Sequence, residues 1–332
     1  MEYRELGKSG AEVSALGLGC MGMSDFYSHA KEAEDKNIGV IHRAVELGVN
    51  LLDSGDYYGF GHNELLIGRA IRELPRDKVF ISVKFGALRN WDGNFLGVDT
   101  RPTAIRNFIG YSLLRLGTDY IDLYYPGRID PNVAVEETVG TLAELVKEGK
   151  IRYIGLSEAS AETVRRAATV HPLAKLQTEY SLFTRDIETN GVLGACRQLG
   201  VSVVAYSPLG RGLLTGTIKS AHDLKGRDFR VAIPRFQGEN LEKNLKIVNK
   251  LGEIAAEKDC STSQLALAWL LSRGEDVIPI FGTRSKERLE ENLGALKIEL
   301  SEDDLRRIDE AAPVGAAAGL RYPEAAMRSV NA

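Results

Sequence analysis

Asp53, Tyr58 and Lys84 are the residues of this 332-residue chain whose types and spacing could move a proton. Asp53 ends the short apolar run "NLLDS" (50–54), Tyr58 follows five residues later in "LDSGDYYG", and Lys84 interrupts the apolar run "VFISVKF" (79–85). A lysine inside a buried strand is strongly unfavourable unless a counter-charge neutralises it. Asp53, on the neighbouring strand, is the natural partner. A phenol of ordinary pKa, about 10, is a poor acid at neutral pH. An ammonium beside it favours the phenolate, which makes Tyr58 a better donor to a developing alkoxide. A Lys–Asp pair that only ties two strands together is the bland alternative. The tyrosine, and further polar residues at other strand ends, turn the reading towards chemistry. These are Ser157 and Glu158 after "IRYIGL", Gln177 in "AKLQTEY", and Tyr206 and Ser207 at the end of "VSVVAYS".

Such tips need a frame that brings them to one rim. Apolar runs recur at 15–20, 50–54, 79–85, 120–125, 151–157, 174–180, 201–207 and 277–282, and amphipathic helical stretches alternate with them. Residues 36–48, "KNIGVIHRAVELG", show the pattern, with Ile38, Ile41 and Val45 on one stripe. Gly48, Gly117, Gly149 and Gly200 each stand just past such a stretch, where a left-handed C-terminal residue is favoured. Eight strand–helix repeats predict an α/β fold, a (β/α)8 TIM barrel, preceded by a β-hairpin around Lys8-Ser9-Gly10. No Pro/Ser/Gly-rich linker interrupts residues 1–332, which predicts a single domain. The segments 86–100, 208–239 and 312–332 exceed ordinary connections and are expected at the C-terminal face, where such barrels build their sites. Trp91, Phe95, Phe229, Phe236 and Tyr322 give them apolar material to cover a pocket.

Composition excludes other classes. With 44% hydrophobic and 27% charged residues and a net charge of −4, the chain reads as an ordinary globular protein. That charge argues against nucleic-acid or anionic-membrane partners. No stretch reads as a signal peptide or a bilayer span. Three scattered cysteines form neither a disulfide framework nor a zinc site. The expectation is a soluble, cytoplasmic protein with a small-molecule substrate and no metal; oligomeric state is not legible.

Read in order, "LDSGDYYGFGHNE", "VKFG", "LVKEGKIRYIGLSEA", "QTEYSLFTRD", "VAYSPLGRGLLTG" and "GTRSKERLEENLGAL" resemble the aldo-keto reductases along nearly the whole chain. "RDIETNGVL" and "GLRYPEAAM" carry a narrower resemblance to the fungal pyridoxal-reductase-like group. The resemblance implies hydride transfer from NADPH to a carbonyl carbon while a tyrosine protonates the oxygen. It assigns that role to Tyr58, tuned by Lys84 and Asp53, and passes over Tyr57 because the Asp-to-Tyr spacing selects Tyr58. It also implies that Tyr206 stacks on the nicotinamide, that Ser157 and Gln177 bind its carboxamide, and that Ser207, Leu209 and Gly210 lie against the pyrophosphate. Glu158 stands where the family often has asparagine.

Arg284, Ser285 and Arg288 open a helix after the last strand. Two guanidinium groups and a helix N-terminus suit a phosphate dianion, which favours NADPH over NADH. Glu291 and Asn292 would then reach the adenine, by the same resemblance; a solvated helix face is the plain alternative. "GLGCMG" (17–22) matches G-x-G-x-x-G, but no helix opens directly after it, so it is not a dinucleotide fingerprint. Its glycines are expected to let the first strand approach a ligand, with Met21 and Gly22 at the pocket floor and Cys20 in its wall.

The fourth strand, "YIDLYYPGRIDP" (120–131), departs from the family pattern. Gly127 stands where the family usually has a histidine that polarises the substrate carbonyl. The expectation is a working carbonyl reductase whose pocket includes Gly127, Trp91 and Phe229, with the Tyr125 hydroxyl filling the gap. Pyridoxal is the first substrate to consider, followed by other aldehydes and ketones. The alternative is a weakly catalytic or inactive NADPH-binding protein, a sensor or interaction module.

Overall fold

The computed structural model describes residues 1–27, 33–224 and 228–332. Strands β1 (Tyr3–Glu5) and β2 (Glu12–Ser14) form an antiparallel hairpin at the N-terminus. The chain then runs through β3 (Gly17–Gly19), β4 (Leu51–Gly55), β5 (Phe80–Phe85), β6 (Ala87–Arg89), β7 (Phe95–Val98), β8 (Ile121–Pro126), β9 (Ile151–Ser157), β10 (Lys175–Glu179), β11 (Ser202–Tyr206) and β12 (Val277–Phe281). Eight of these close a parallel barrel in the order β3-β4-β5-β8-β9-β10-β11-β12, and β12 pairs back to β3. This is the (β/α)8 barrel expected from the alternation.

Period-2 geometry divides each strand between two cores. Outward residues such as Leu52, Ile81, Val83, Ile154 and Leu176 pack under the helices. Inward residues Leu51, Phe80, Leu123, Val204 and Ile278 meet Leu6, Ala11 and Val13 of the hairpin, which therefore closes the N-terminal end of the barrel. Functional side chains are left to the other end. Gly17 belongs to this packing: a Cβ there would stand 2.8 Å from Ile280 Cγ2 and from Leu51 Cδ2. Cys20 lies fully buried in the outer core and not in a pocket wall, and burial pushes its thiol pKa up. The helices end as their sequences require; at Gly117 (φ 65°) the left-handed residue donates its N–H to Leu113 O.

The three long segments take regular forms. Segment 86–100 contains the β6–β7 antiparallel hairpin, the described residues of 208–239 form short 3-10 turns before the helix Gly238–Glu257 begins, and the tail carries a short helix, Glu324–Met327. All three contribute to one cavity at the C-terminal end of the barrel. Among the described residues no helix is long and apolar enough to cross a membrane.

Candidate active site

Inward faces of β4, β5, β8 and β10 converge on one carboxylate. Asp53 pairs across the sheet with Ser82, whose Oγ donates to Asp53 Oδ2 at 2.9 Å. Lys84 forms a direct ion pair with Oδ1. The Tyr125 hydroxyl donates to Oδ2 at 2.7 Å, and Gln177 Nε2 reaches the same oxygen at 2.9 Å. Lys175 completes the hub, 3.4 Å from Oδ2 and donating to Ser82 Oγ at 2.9 Å. Burial alone would push the Asp53 carboxyl up. The two ammonium groups and the hydrogen bonds outweigh it and hold the group well below the usual carboxylate range.

Sequence reasoning passed over Lys175, although the signal was present. Positions 175 and 177 share a strand face, and Gly155 on β9 makes room: a Cβ there would lie 2.9 Å from Lys175 Cγ. Burial pulls the Lys175 ammonium from 10.5 down to about 7, with Asp53 opposing and Lys84 adding to the effect. The folded value lies below the unfolded one, so the cost of burying this lysine is fully present below about pH 7 and fades as pH rises towards 10.5. Lys175→Met is therefore expected to unfold at higher denaturant than the parent near pH 7. Its advantage should shrink by up to about 1.4 kcal/mol per pH unit towards pH 10. Parallel stability curves for the two proteins would contradict this.

Tyr58 is buried above the hub. Its ring meets Tyr57 at 4.8 Å and Phe26 at 6.0 Å between centroids, both edge-on, and Lys84 Nζ stands 5.2 Å from its centroid. The phenol is held well above its usual range, by burial first and by Asp53 second; Tyr57 and Arg128 pull the other way. This reverses the direction expected from an adjacent ammonium. Lys84 directs its ammonium at Asp53 and at the Tyr125 hydroxyl, 3.0 Å away, so its charge is largely cancelled there. Tyr58 accordingly keeps its proton throughout the neutral range.

Two pocket expectations are corrected. Tyr125 is fully buried, bound to Asp53 and Lys84, and does not line the cavity. It shares a strand face with residue 127, but two residues of strand rise roughly 6.6 Å, which leaves Tyr125 a layer below. Trp91 is 89% exposed, because the β6–β7 turn, closed by Asn90 N donating to Asn94 O at 3.0 Å, throws it into solvent. That hairpin sends Arg89 and Phe95 to the cavity instead. Gly127 and Phe229 do line it, and Phe229 packs against Phe26 and Tyr27 at 5.3 Å each.

The cavity has a volume of about 1180 Å³. From the Tyr58 end it extends past Met21, Gly22, Gln177, Tyr206, Ser207 and Leu209 to Arg284, Ser285, Arg288, Glu291 and Asn292. Ser285 caps helix Lys286–Leu293 by accepting from Arg288 N. Ser157 and Gly210 lie outside the lining. Ser157 pairs with Gln177 across β9–β10, and its buried hydroxyl has no hydrogen-bond partner among the described residues. Gly210 donates its N–H to Ser207 O at 2.9 Å, and so it shapes the loop and does not offer that amide to a ligand.

Glu158 is committed to the tail. Arg321 grips its carboxylate with two bonds of 2.9 and 2.7 Å, and the Tyr206 hydroxyl donates at 2.7 Å. Next in sequence, Tyr322 lines the cavity, with its hydroxyl 2.9 Å from that of Tyr206 and accepting from Arg128 at 3.2 Å. Burial would raise the Tyr322 phenol, but Arg211 and Arg128 together bring it below its ordinary value. The tail thus anchors Glu158 and closes over Tyr206.

Residues 15–313 match the model of the Aldo/keto reductase family. The chain belongs to that family. It is 46% identical over 324 residues to the probable aldo-keto reductase 1 of Glycine max, covering 96% of this chain and 91% of that protein. It is 45% identical over 317 residues to the Schizosaccharomyces pombe aldo-keto reductase yakc [NADP(+)], covering 95% and 93%. A solved glycerol dehydrogenase of Gluconobacter oxydans superposes with a TM-score of 0.84 at 28% identity, covering 99% of this chain and 96% of that one. The chain is thus an oxidoreductase of the aldo/keto reductase family.

In this aldo/keto reductase no described histidine lines the cavity. The His62 ring contacts Ser24 Oγ and Glu34 Oε1 at 2.8 Å each, His42 contacts Ala70 O, and His171 contacts Pro172 O. His222 sits in the 3-10 turn Ala221–Asp223, and His29 lies outside the described residues.

Proposed function

We propose that this aldo/keto reductase reduces an aldehyde or ketone to the alcohol with NADPH, with Tyr58 giving its proton to the carbonyl oxygen. The observation that carries this reading is the single cavity lined both by Asp53, Tyr58 and Lys84 and by Arg284, Ser285 and Arg288. The residues present fit the cofactor. The orphaned Ser157 hydroxyl, beside Gln177 in the sheet, is a buried polar group awaiting a partner that a carboxamide would provide. Gln177 spends its Nε2 on Asp53, which leaves its carbonyl oxygen for an amide N–H. Tyr206 would pack on the nicotinamide ring, Ser207 and Leu209 would follow the pyrophosphate, and Glu291 and Asn292 the adenine. Bound NADPH would supply the hydride. Asp53 and Lys84 set the floor beneath Tyr58, and the buried ring of Tyr58 holds its hydroxyl away from bulk water.

Arg284 and Arg288 favour the phosphorylated cofactor, in keeping with the NADP(+) in the name of the S. pombe relative. A charge-assisted bond to phosphate is worth about 1.5–3 kcal/mol. Arg288→Ala should therefore raise KM for NADPH by roughly 10- to 100-fold and barely change KM for NADH; equal effects on both would contradict this assignment. For the substrate we favour an aromatic aldehyde, with pyridoxal as the first compound. The supporting feature is the set of aromatic residues, Phe26, Tyr27, Tyr57 and Phe229, that line the cavity together with Tyr58. The proposed setting is the cytoplasm, in keeping with the free thiols of Cys20, Cys196 and Cys260, and residues 1–332 act as one domain. Steady-state oxidation of NADPH and NADH over a panel of aldehydes and ketones tests the reading. Turnover with NADPH and a subset of carbonyls supports it, and NADPH binding without oxidation on any of them defeats it.

A further inference from the structure

The passed-over neighbour of the proton donor has an unusual seat. Gly55 ends β4, and a Cβ on it would lie 3.3 Å from Tyr58 Cζ and 3.4 Å from Tyr57 Cε1. A Cβ on Gly127, past the end of β8, would lie 3.3 Å from the Tyr57 hydroxyl and 3.4 Å from its Cε1. Two strand ends thus carry no side chain where the two phenol rings need the space. The rings pack edge-on with centroids 4.8 Å apart, both line the cavity, and Arg89 donates to Tyr57 O at 3.1 Å from the β6–β7 hairpin. The Tyr57 hydroxyl points to the ground that a side chain on residue 127 would otherwise take, and it interacts with the hydroxyl of Tyr58.

We propose that Tyr57 is a second hydrogen-bond donor to the substrate carbonyl oxygen, seated against the bare face of Gly127 so that this oxygen is held between Tyr57 and Tyr58. Tyr58 breaks its O–H bond as the alcohol O–H forms and the carbonyl carbon gains hydride. Tyr57 keeps its proton throughout and stabilises the negative charge growing on the oxygen. A preorganised donor of this kind at a water-poor site is worth about 10²–10³ in kcat. Burial keeps both phenols protonated, and the nearby charge of Arg128 draws both down from that raised level, which makes each a stronger donor.

This inference rests on the carbonyl-reductase reading, and the two fail differently. Wild-type protein that binds NADPH but oxidises it with none of the carbonyls defeats the reading itself. Given an active wild type, Tyr57→Phe, which keeps the ring, is expected to lower kcat at least about tenfold with NADPH affinity, read by cofactor fluorescence, unchanged. Gly127→His supplies the arm that a structural role would not produce. In the wild-type background a Cβ on residue 127 already crowds the Tyr57 hydroxyl at 3.3 Å, so the imidazole is expected to push Tyr57 from its seat and kcat to fall. In the Tyr57→Ala background the space is open, and the same substitution should raise kcat by about tenfold over Tyr57→Ala alone. That change of sign supports the proposal. A Tyr57→Phe protein with wild-type kcat overturns it, and so does a Gly127→His substitution that is equally harmful in both backgrounds.

Discussion

Tyr58→Phe is expected to lower kcat by about 10²–10⁴-fold while leaving NADPH affinity and thermal stability close to those of the parent. The substitution removes the hydroxyl alone. Phenylalanine keeps the edge-on contacts with Tyr57 and Phe26 and the position of Lys84 over the ring face. The Tyr58 hydroxyl interacts with that of Tyr57, but the Asp53 hub is held by Tyr125 and Gln177 and does not use it. The loss should therefore fall on the proton transfer and spare the fold, with kcat and kcat/KM dropping together. Because burial and Asp53 hold the Tyr58 phenol high, the parent should also show no loss of activity from ionisation of Tyr58 between about pH 6 and 9. Stopped-flow NADPH oxidation beside cofactor titration separates the two effects. A variant that turns over at the parent rate would place the proton donor elsewhere.

Asp53→Asn should damage both fold and chemistry. One carboxylate, its side chain 4% exposed, pairs with two lysines whose side chains are 5% and 1% exposed. Removing one partner of a buried ion pair typically costs 3–5 kcal/mol, because the remaining charge stays buried and unpaired. Two unpaired lysines place the expected loss at the upper end of that range. The damage should also depend on pH. Without the carboxylate that opposes its burial, Lys175 favours the neutral form more strongly, so it sheds a proton in the folded state that the unfolded chain retains, and the variant recovers stability as pH rises towards 10. Adding Lys175→Met to Asp53→Asn should restore part of the loss, since it removes one of the two stranded charges. Chemical denaturation of the single and double variants measures this. A single variant within about 1 kcal/mol of the parent, with no rescue by Lys175→Met, would show that the hub holds little of the fold together.

The barrel was legible because its strands are short apolar runs punctuated by helices, and each run falls within a residue or two of an observed strand. Asp53, Lys84 and Gln177 were legible for a related reason: a charged or amide residue in an apolar run has to find a partner, and neighbouring strands offer few. Depth was not legible. Alternation assigns a side chain to a face and says nothing of its layer, and for that reason Tyr125 was expected beside Gly127 when it lies a layer beneath. Turn direction was equally hidden, so Trp91 was expected in the pocket when its hairpin points it outward. The Glu158–Arg321 clasp joins residues 163 positions apart, which no local pattern reports. Tyr57 was set aside on spacing, and only the bare faces of Gly55 and Gly127 bring it forward.

The central claim is that this chain passes a hydride from NADPH to a carbonyl carbon while Tyr58 protonates the oxygen. NADPH deuterated at both C4 positions, mixed with the wild-type protein and pyridoxal or another accepted aldehyde for a single turnover, tests it directly. The account predicts an alcohol carrying one deuterium on its carbinol carbon, formed in step with loss of the NADPH absorbance, and neither event in Tyr58→Phe on the same timescale. An alcohol without deuterium, or the same deuterated product at the same rate from the variant, would contradict it.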